Sequence, residues 1–203
     1  MSTTTLNGGY PILVRMPPRP ERFERSGLAL RIIATLLIGW TGVGAVIYAL
    51  PLVTAVLTWQ LKPGQSFAER YGESSNKLIG LWVGFETWRM FGTEEMPDWN
   101  NPDLSRLTIA YDTPTVAGAL ARYLLIIPHV IFYWILSMIV TLAFIVVFFT
   151  VLFSESVPGG IQGFYRGMIA YQARTVGYYA GLVGTYPPFS VAEPDSPHPT
   201  ETP

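Results

Sequence analysis

Two uncharged stretches constrain this chain more than any other feature. Residues 32–61 hold no Asp, Glu, Lys or Arg, and neither do residues 123–154, where His129 is the one side chain able to become a cation. Runs of roughly 18 or more such residues read as transmembrane helices. Composition agrees, since only 13% of the residues are charged, about half the share of an ordinary soluble domain. The expected fold class is an α-helical integral membrane protein. The first run follows five arginines and is too long for a signal peptide, so it reads as a retained anchor. With no cysteine, disulfides, thiolate metal sites and cysteine nucleophiles are excluded. A net charge of −1 argues against nucleic acid as a partner.

Each run would be ~45 Å long as a straight helix, against a hydrocarbon core of ~30 Å. Trp and Tyr collect at the membrane–water interface. Trp40 and Trp134 each follow an arginine (Arg31, Arg122) by a short apolar lead-in and precede a charge (Lys62, Glu155) by one membrane thickness. After each run come a Pro-Gly turn (Pro63-Gly64, Pro158-Gly159) and a less apolar helical stretch. Each half opens on an alternating segment, YPILVRM at 10–16 and LTIAYDT at 107–113. The chain thus reads as duplicated helical-hairpin units with about four membrane-embedded helices and short strands at the membrane surface. A flexible start (1–9) precedes a first repeat (10–92), with a membrane helix at about 31–61 and a second helix at about 75–91. A linker (93–106) leads to a second repeat (107–190), with helices at about 123–154 and 161–185. An acidic, proline-rich tail (191–203) is expected to be disordered.

Four crossings with a cytoplasmic amino terminus put eight Lys and Arg residues inside and four outside, with Arg174 within the fourth helix. That split follows the positive-inside tendency, whereas two crossings give seven against six. Four crossings also place Glu86 and Arg174 in or near the hydrocarbon. Glu86 and Arg89 stand three apart on one helical face and can pair. The alternative is two true spans with two amphipathic helices lying at the interface.

Candidate sites are few. Counting one bilayer back from Glu155 puts His129 at the interface, hydrogen-bonded to water, lipid phosphate or backbone. The sharper alternative is an axial ligand to haem or chlorophyll, for which the sequence offers no second ligand, so no cofactor is expected. Arg15, Arg19, Arg22, Arg25, Arg31 and Arg122 read as a topology signal or as a binding surface for anionic lipid or an acidic partner. Gly80 with Gly84, Gly163 with Gly167 and Gly177 with Gly181 are small-x-x-x-small pairs suited to helix packing. No P-loop, nucleophile elbow, zinc-protease or dinucleotide motif is present, and Asp98, Asp103 and Asp112 lack EF-hand spacing. An enzyme is not expected.

The segments YPILVRMPPRPERFER, ARYLLIIPHVIFYW, VPGGIQGFYRGMIAYQARTVGYYAGL and TYPPFSV resemble an actinobacterial-type membrane family, domain of unknown function 4389. The resemblance rests on Arg19, Pro20, Arg22 and Arg25, on the Ile127-Pro128-His129 step, and on Tyr186 to Ser190. Two departures are the SESVPGG turn, where the family usually carries an Arg-Tyr pair, and Tyr165-Arg166, where it usually carries Trp beside Arg. The resemblance implies no catalytic residues. The expected function is a non-catalytic, multi-pass inner-membrane protein. It would be an accessory or scaffolding subunit of a larger complex of respiratory or photosynthetic type, or lipid-associated. Its expected partners are membrane lipids and other membrane subunits. A small transporter or lipid-handling protein and a His129 pigment binder are the alternatives.

Overall fold

The computed structural model describes residues 10–40, 43–98, 100 and 106–192, with side chains among them except at 38–40 and 43–46. The flexible start, most of the expected tail with His198, the linker positions 99 and 101–105, and the Trp40 side chain lie outside the described residues. Within them the elements run β1 (Ile12–Val14), α1 (Ser26–Trp40), α2 (Val43–Trp59) and α3 (Phe67–Arg89), then β2 (Leu107–Ile109), α4 (Val116–Leu125), α5 (Ile127–Ser154) and α6 (Gly159–Tyr179). A strand followed by three helices therefore occurs twice, rather than a strand followed by two.

Local chemistry sets these bounds. Ser66 caps α3 in a reciprocal box with Glu69, each side chain bonding the other's backbone N–H (3.1 and 3.2 Å). The Thr115 hydroxyl caps α4 by accepting from the Gly118 amide. Pro128 sits in the first turn of α5, where its missing N–H costs nothing. The second run therefore enters as two helices, α4 and α5, instead of the single helix expected from about residue 123.

β1 and β2, which fall within the two alternating opening segments, pair antiparallel, Leu13 opposite Thr108. Ile12, Val14, Leu107 and Ile109 point inward, and Leu13 and Thr108 outward. This ribbon lies on α6 and α3, which pack on each other, while α2 packs on α4 and α1 on α5 and α3.

The ends of α3 and α6 are built alike. At the first, Met90 N–H bonds Glu86 O, Phe91 bonds Trp88 O, and Gly92 bonds Thr87 O; at the second, Ala180 bonds Val176 O, Gly181 bonds Tyr178 O, and Leu182 bonds Gly177 O. Both are Schellman turns with a left-handed residue after the cap, Phe91 (φ 57) and Gly181 (φ 81). Each is held by an arginine from the first helix of its own half. Arg31 Nη2 donates to Thr93 O and Arg122 Nη2 to Val183 O, both at 2.9 Å.

Burial runs opposite to hydropathy. Most of α6 is buried, including Gln162, Arg166 and Gln172. α5, the one described helix long and apolar enough to cross a membrane, has only 17% of its most apolar window buried. Four spanning helices were expected, and the described residues contain one that meets that test. Large apolar side chains exposed on helices lie on α1, α2, α4 and α5, with only Leu78 on α3 and none on α6. The four aliphatic hydroxyls of α5, on Ser137, Thr141, Thr150 and Ser154, each donate to a carbonyl of that same helix.

The far end of α5 corrects the expected topology. Arg22 and Arg25 both pair with Glu155, and Phe23 N–H bonds the Glu155 carbonyl at 2.8 Å. The arginine segment therefore shares one end of the molecule with Glu155, where the four-crossing count separates them by a membrane. The hydrogen bond from Arg22, more than the nearby charges, holds the Glu155 carboxyl below the usual glutamate range. A depressed carboxyl stabilises the fold above its unfolded value, about pH 4.3, and loses that effect as pH falls through the lower folded value. Glu155→Gln should therefore melt below the parent at pH 7, with the gap closing on acidification in parallel thermal scans. The gap will be small because both arginines are exposed.

Candidate functional site

Of the six arginines read as a binding surface, two are interior. Arg31 has no exposed surface: its guanidinium donates to Trp88 O, Thr93 O and Glu94, and lies over the rings of Phe91, Trp88 and Phe23. Arg122 is buried beneath the end of α6 and lies over Tyr178. Neither reaches lipid, because the open carbonyls after α3 and α6 draw them inward. Arg15, Arg19, Arg22 and Arg25 are exposed, the last two engaged by Glu155.

The glycines read as suited to helix packing have mixed surroundings. Gly84 abuts Pro97, and a Cβ at Gly167 would strike the Val191 carbonyl. Gly177 makes room for Ile12 of β1, and Gly181 lies beyond α6, where its left-handed backbone and the nearby Arg122 leave no space for a side chain. Gly80 lines a small cleft with Gly84 and Arg15, and Gly163 is half-buried. A side chain at these positions would meet a loop proline at Gly84, loop backbone at Gly167, a strand side chain at Gly177, and the Arg122 and Thr54 side chains of two other helices at Gly181.

Glu86 and Arg89 do pair, at 2.5 and 3.0 Å, and Glu86 is 1% exposed. Arg174 bonds Ala170 O of its own helix and Ser190 O. Among the described residues no group of three His, Asp or Glu side chains could hold a metal.

His129 is where the described residues converge. It was expected at a wet interface, but it is fully buried, because the segment after α6 folds back over it. Phe189 stacks on the imidazole (centroids 4.2 Å apart, 10° between planes) and Tyr186 lies at 4.8 Å. Nδ1 shares a 2.7 Å hydrogen bond with the Tyr171 hydroxyl of α6. The Ile-Pro-His step and the Tyr-Pro-Pro-Phe-Ser segment thus form one aromatic cluster, with both parts inside a single stretch of chain. Residues 117–190 match the model of a domain of unknown function, DUF4389. No curated protein and no solved structure matches the chain. The cluster joins the two ends of the matched segment, with the His129 step near its start and Phe189 at its close.

His129 also borders a cavity of about 270 Å³ between α2, α3, α5 and α6. Its Nε2 finds no hydrogen-bond partner, and neither do Trp82 Nε1, Gln172 Oε1, Thr175 Oγ1 and the Tyr179 hydroxyl, all on residues that border the same space. A buried polar atom left unpaired costs roughly 1–3 kcal/mol, so five on residues around one cavity is a large standing cost. A second, apolar cavity of about 380 Å³ adjoins it, with Ile47, Trp82 and Val176 bordering both. Residue reading identified His129 alone. Tyr171, Gln172 and Tyr179 look like an ordinary amphipathic stripe until α6 is placed, and Trp82 belongs to a helix with no obvious partner.

Proposed function

We propose that the chain is a non-catalytic protein of the bacterial cytoplasmic membrane, an accessory or scaffolding subunit that associates with lipid. It enters the bilayer through α1, α2, α4 and α5 and carries the α3–α6 pair and the ribbon as its protein-facing core. The outward apolar surface of α5 carries this reading. A helix of 28 residues is about 42 Å long, longer than the hydrocarbon core. Side chains such as Ile131, Trp134, Met138, Leu142 and Phe149 stand exposed along it. In water such a face would be an aggregation liability. The self-satisfied hydroxyls of α5 suit hydrocarbon, where no water completes a hydrogen bond. The matching helix ends, each clasped by its arginine, support descent of the two halves from one duplicated unit.

Cells expressing the tagged chain provide the test. The protein should stay with membranes through alkaline carbonate washing and float with them in a density gradient. Purification in mild detergent should bring a stoichiometric partner subunit. Release into the carbonate supernatant would overturn the membrane reading, and a lone monomer would overturn the subunit reading. The paired cavities favour a lipid-handling role over ion transport, since Glu86 is already engaged by Arg89.

A further inference from the structure

We propose that the two adjoining cavities form one binding site for a neutral lipid whose head carries a hydroxyl. This rests on the membrane reading and adds the ligand's chemistry to it. The apolar cavity, walled by side chains such as Leu50, Leu57 and Ile79, takes the chain, and the cavity at His129 takes the head. Each is near the small end of ligand clefts, roughly 300–1,000 Å³, and together they suit one elongated molecule.

The head's chemistry follows from the unpartnered atoms. Trp82 Nε1 only donates. The Gln172 amide nitrogen already donates to the Tyr133 hydroxyl at 3.1 Å, leaving its Oε1 to accept. The ligand must therefore supply both an acceptor and a donor, and a hydroxyl supplies both where a ketone or ester supplies one. His129 and the Thr175 and Tyr179 hydroxyls adapt to either role. If Tyr171 donates to Nδ1, Nε2 carries the imidazole proton; if Nδ1 donates, Nε2 accepts. Among the described residues no Asp, Glu, Lys or Arg lines either cavity, so none of them compensates a phosphate or carboxylate there. Access is from the apolar side: Tyr48 (60% exposed), Val53 (48%) and Val130 (44%) border the cavities and stand on the faces proposed to meet hydrocarbon. Long-chain alcohols, monoacylglycerols and prenylated hydroquinones share this chemistry.

The purified full chain, in detergent, is irradiated with hexadecanol carrying a mid-chain diazirine, and labelled peptides are mapped by mass spectrometry. Label should fall on the α2 and α3 residues that wall the apolar cavity. Excess monoolein or decyl hydroquinone should remove it, and whichever acts at lower concentration identifies the source. Methyl oleate, which cannot donate, should compete about tenfold less well, the scale of one or two lost hydrogen bonds, and dioleoyl phosphatidylglycerol, whose phosphate charge no described residue lining the cavities compensates, should compete at least as poorly. Gln172→Leu and Tyr179→Phe should weaken monoolein competition by a similar factor, and Val176→Phe, which fills the shared wall, should abolish cavity labelling. If Val176→Phe does not fold, the competition series on the parent chain decides alone. Label spread along the outer face of α5, or equal competition by all four lipids, overturns the site. A chain that stays with carbonate-washed membranes but takes no cavity label loses this site and keeps the membrane reading.

Discussion

Replacing Arg31 by alanine should cost roughly 3–5 kcal/mol of stability, the scale for emptying the space of a large buried side chain and leaving buried carbonyls unpaired. The side chain is fully enclosed, and its loss leaves Glu94, Trp88 O and Thr93 O without their donor at once. It also empties the space between the rings of Phe91, Trp88 and Phe23. Arg31→Lys should recover only part of the loss, because a compact ammonium does not present the planar fork that meets three acceptors and stacks on aromatic faces. Thermal melting of the detergent-solubilised chain, read with and without each substitution, measures both. Were Arg31 instead a headgroup ligand, Arg31→Ala would leave the melting temperature near that of the parent and weaken binding to anionic vesicles. Arg15→Ala supplies the contrast, since Arg15 is exposed and its side chain can be removed with little effect on melting.

That contrast marks what the residues alone disclose. The ribbon was legible because alternation in YPILVRM and LTIAYDT gives each segment one apolar face. The Glu86–Arg89 pair was legible because spacing along one helix is local information. The inward turn of Arg31 and Arg122 was not. Both sit where an arginine flanking an apolar run ordinarily reaches toward headgroups, and only the placement of the helix ends after α3 and α6 supplies the carbonyls that draw them in. His129 was misplaced for a related reason. Counting residues along α5 fixes its depth along the axis, but its cover comes from Phe189, sixty residues later in the chain. The position of Glu155 beside Arg22 is likewise a long-range fact, and it overturns a topology argued from charge counts alone.

The Glu86–Arg89 pair gives the second large effect and separates a structural role from a functional one. Glu86→Ala leaves the Arg89 guanidinium buried with the Thr35 hydroxyl, 3.5 Å away, as a weak remaining partner. The expected loss is again roughly 3–5 kcal/mol, read as a lower melting temperature or denaturant midpoint. Replacing both members with apolar residues of similar volume, Glu86→Leu with Arg89→Met, should cost much less than Glu86→Ala, because no unpaired charge remains to be desolvated. The non-additivity of the double-mutant cycle is thus a direct measure of the charge left behind. If the pair only holds α3 in place, the double variant should keep membrane retention, any co-purifying partner and cavity labelling by hexadecanol diazirine. If Glu86 instead moves an ion or a proton, the double variant would be as stable as this argument requires and yet lose transport across reconstituted vesicles. A stable double variant that keeps every binding property removes the transporter reading, whereas a double variant as unstable as Glu86→Ala would show that the pair's hydrogen-bond geometry holds α3 and that its burial cost is already repaid.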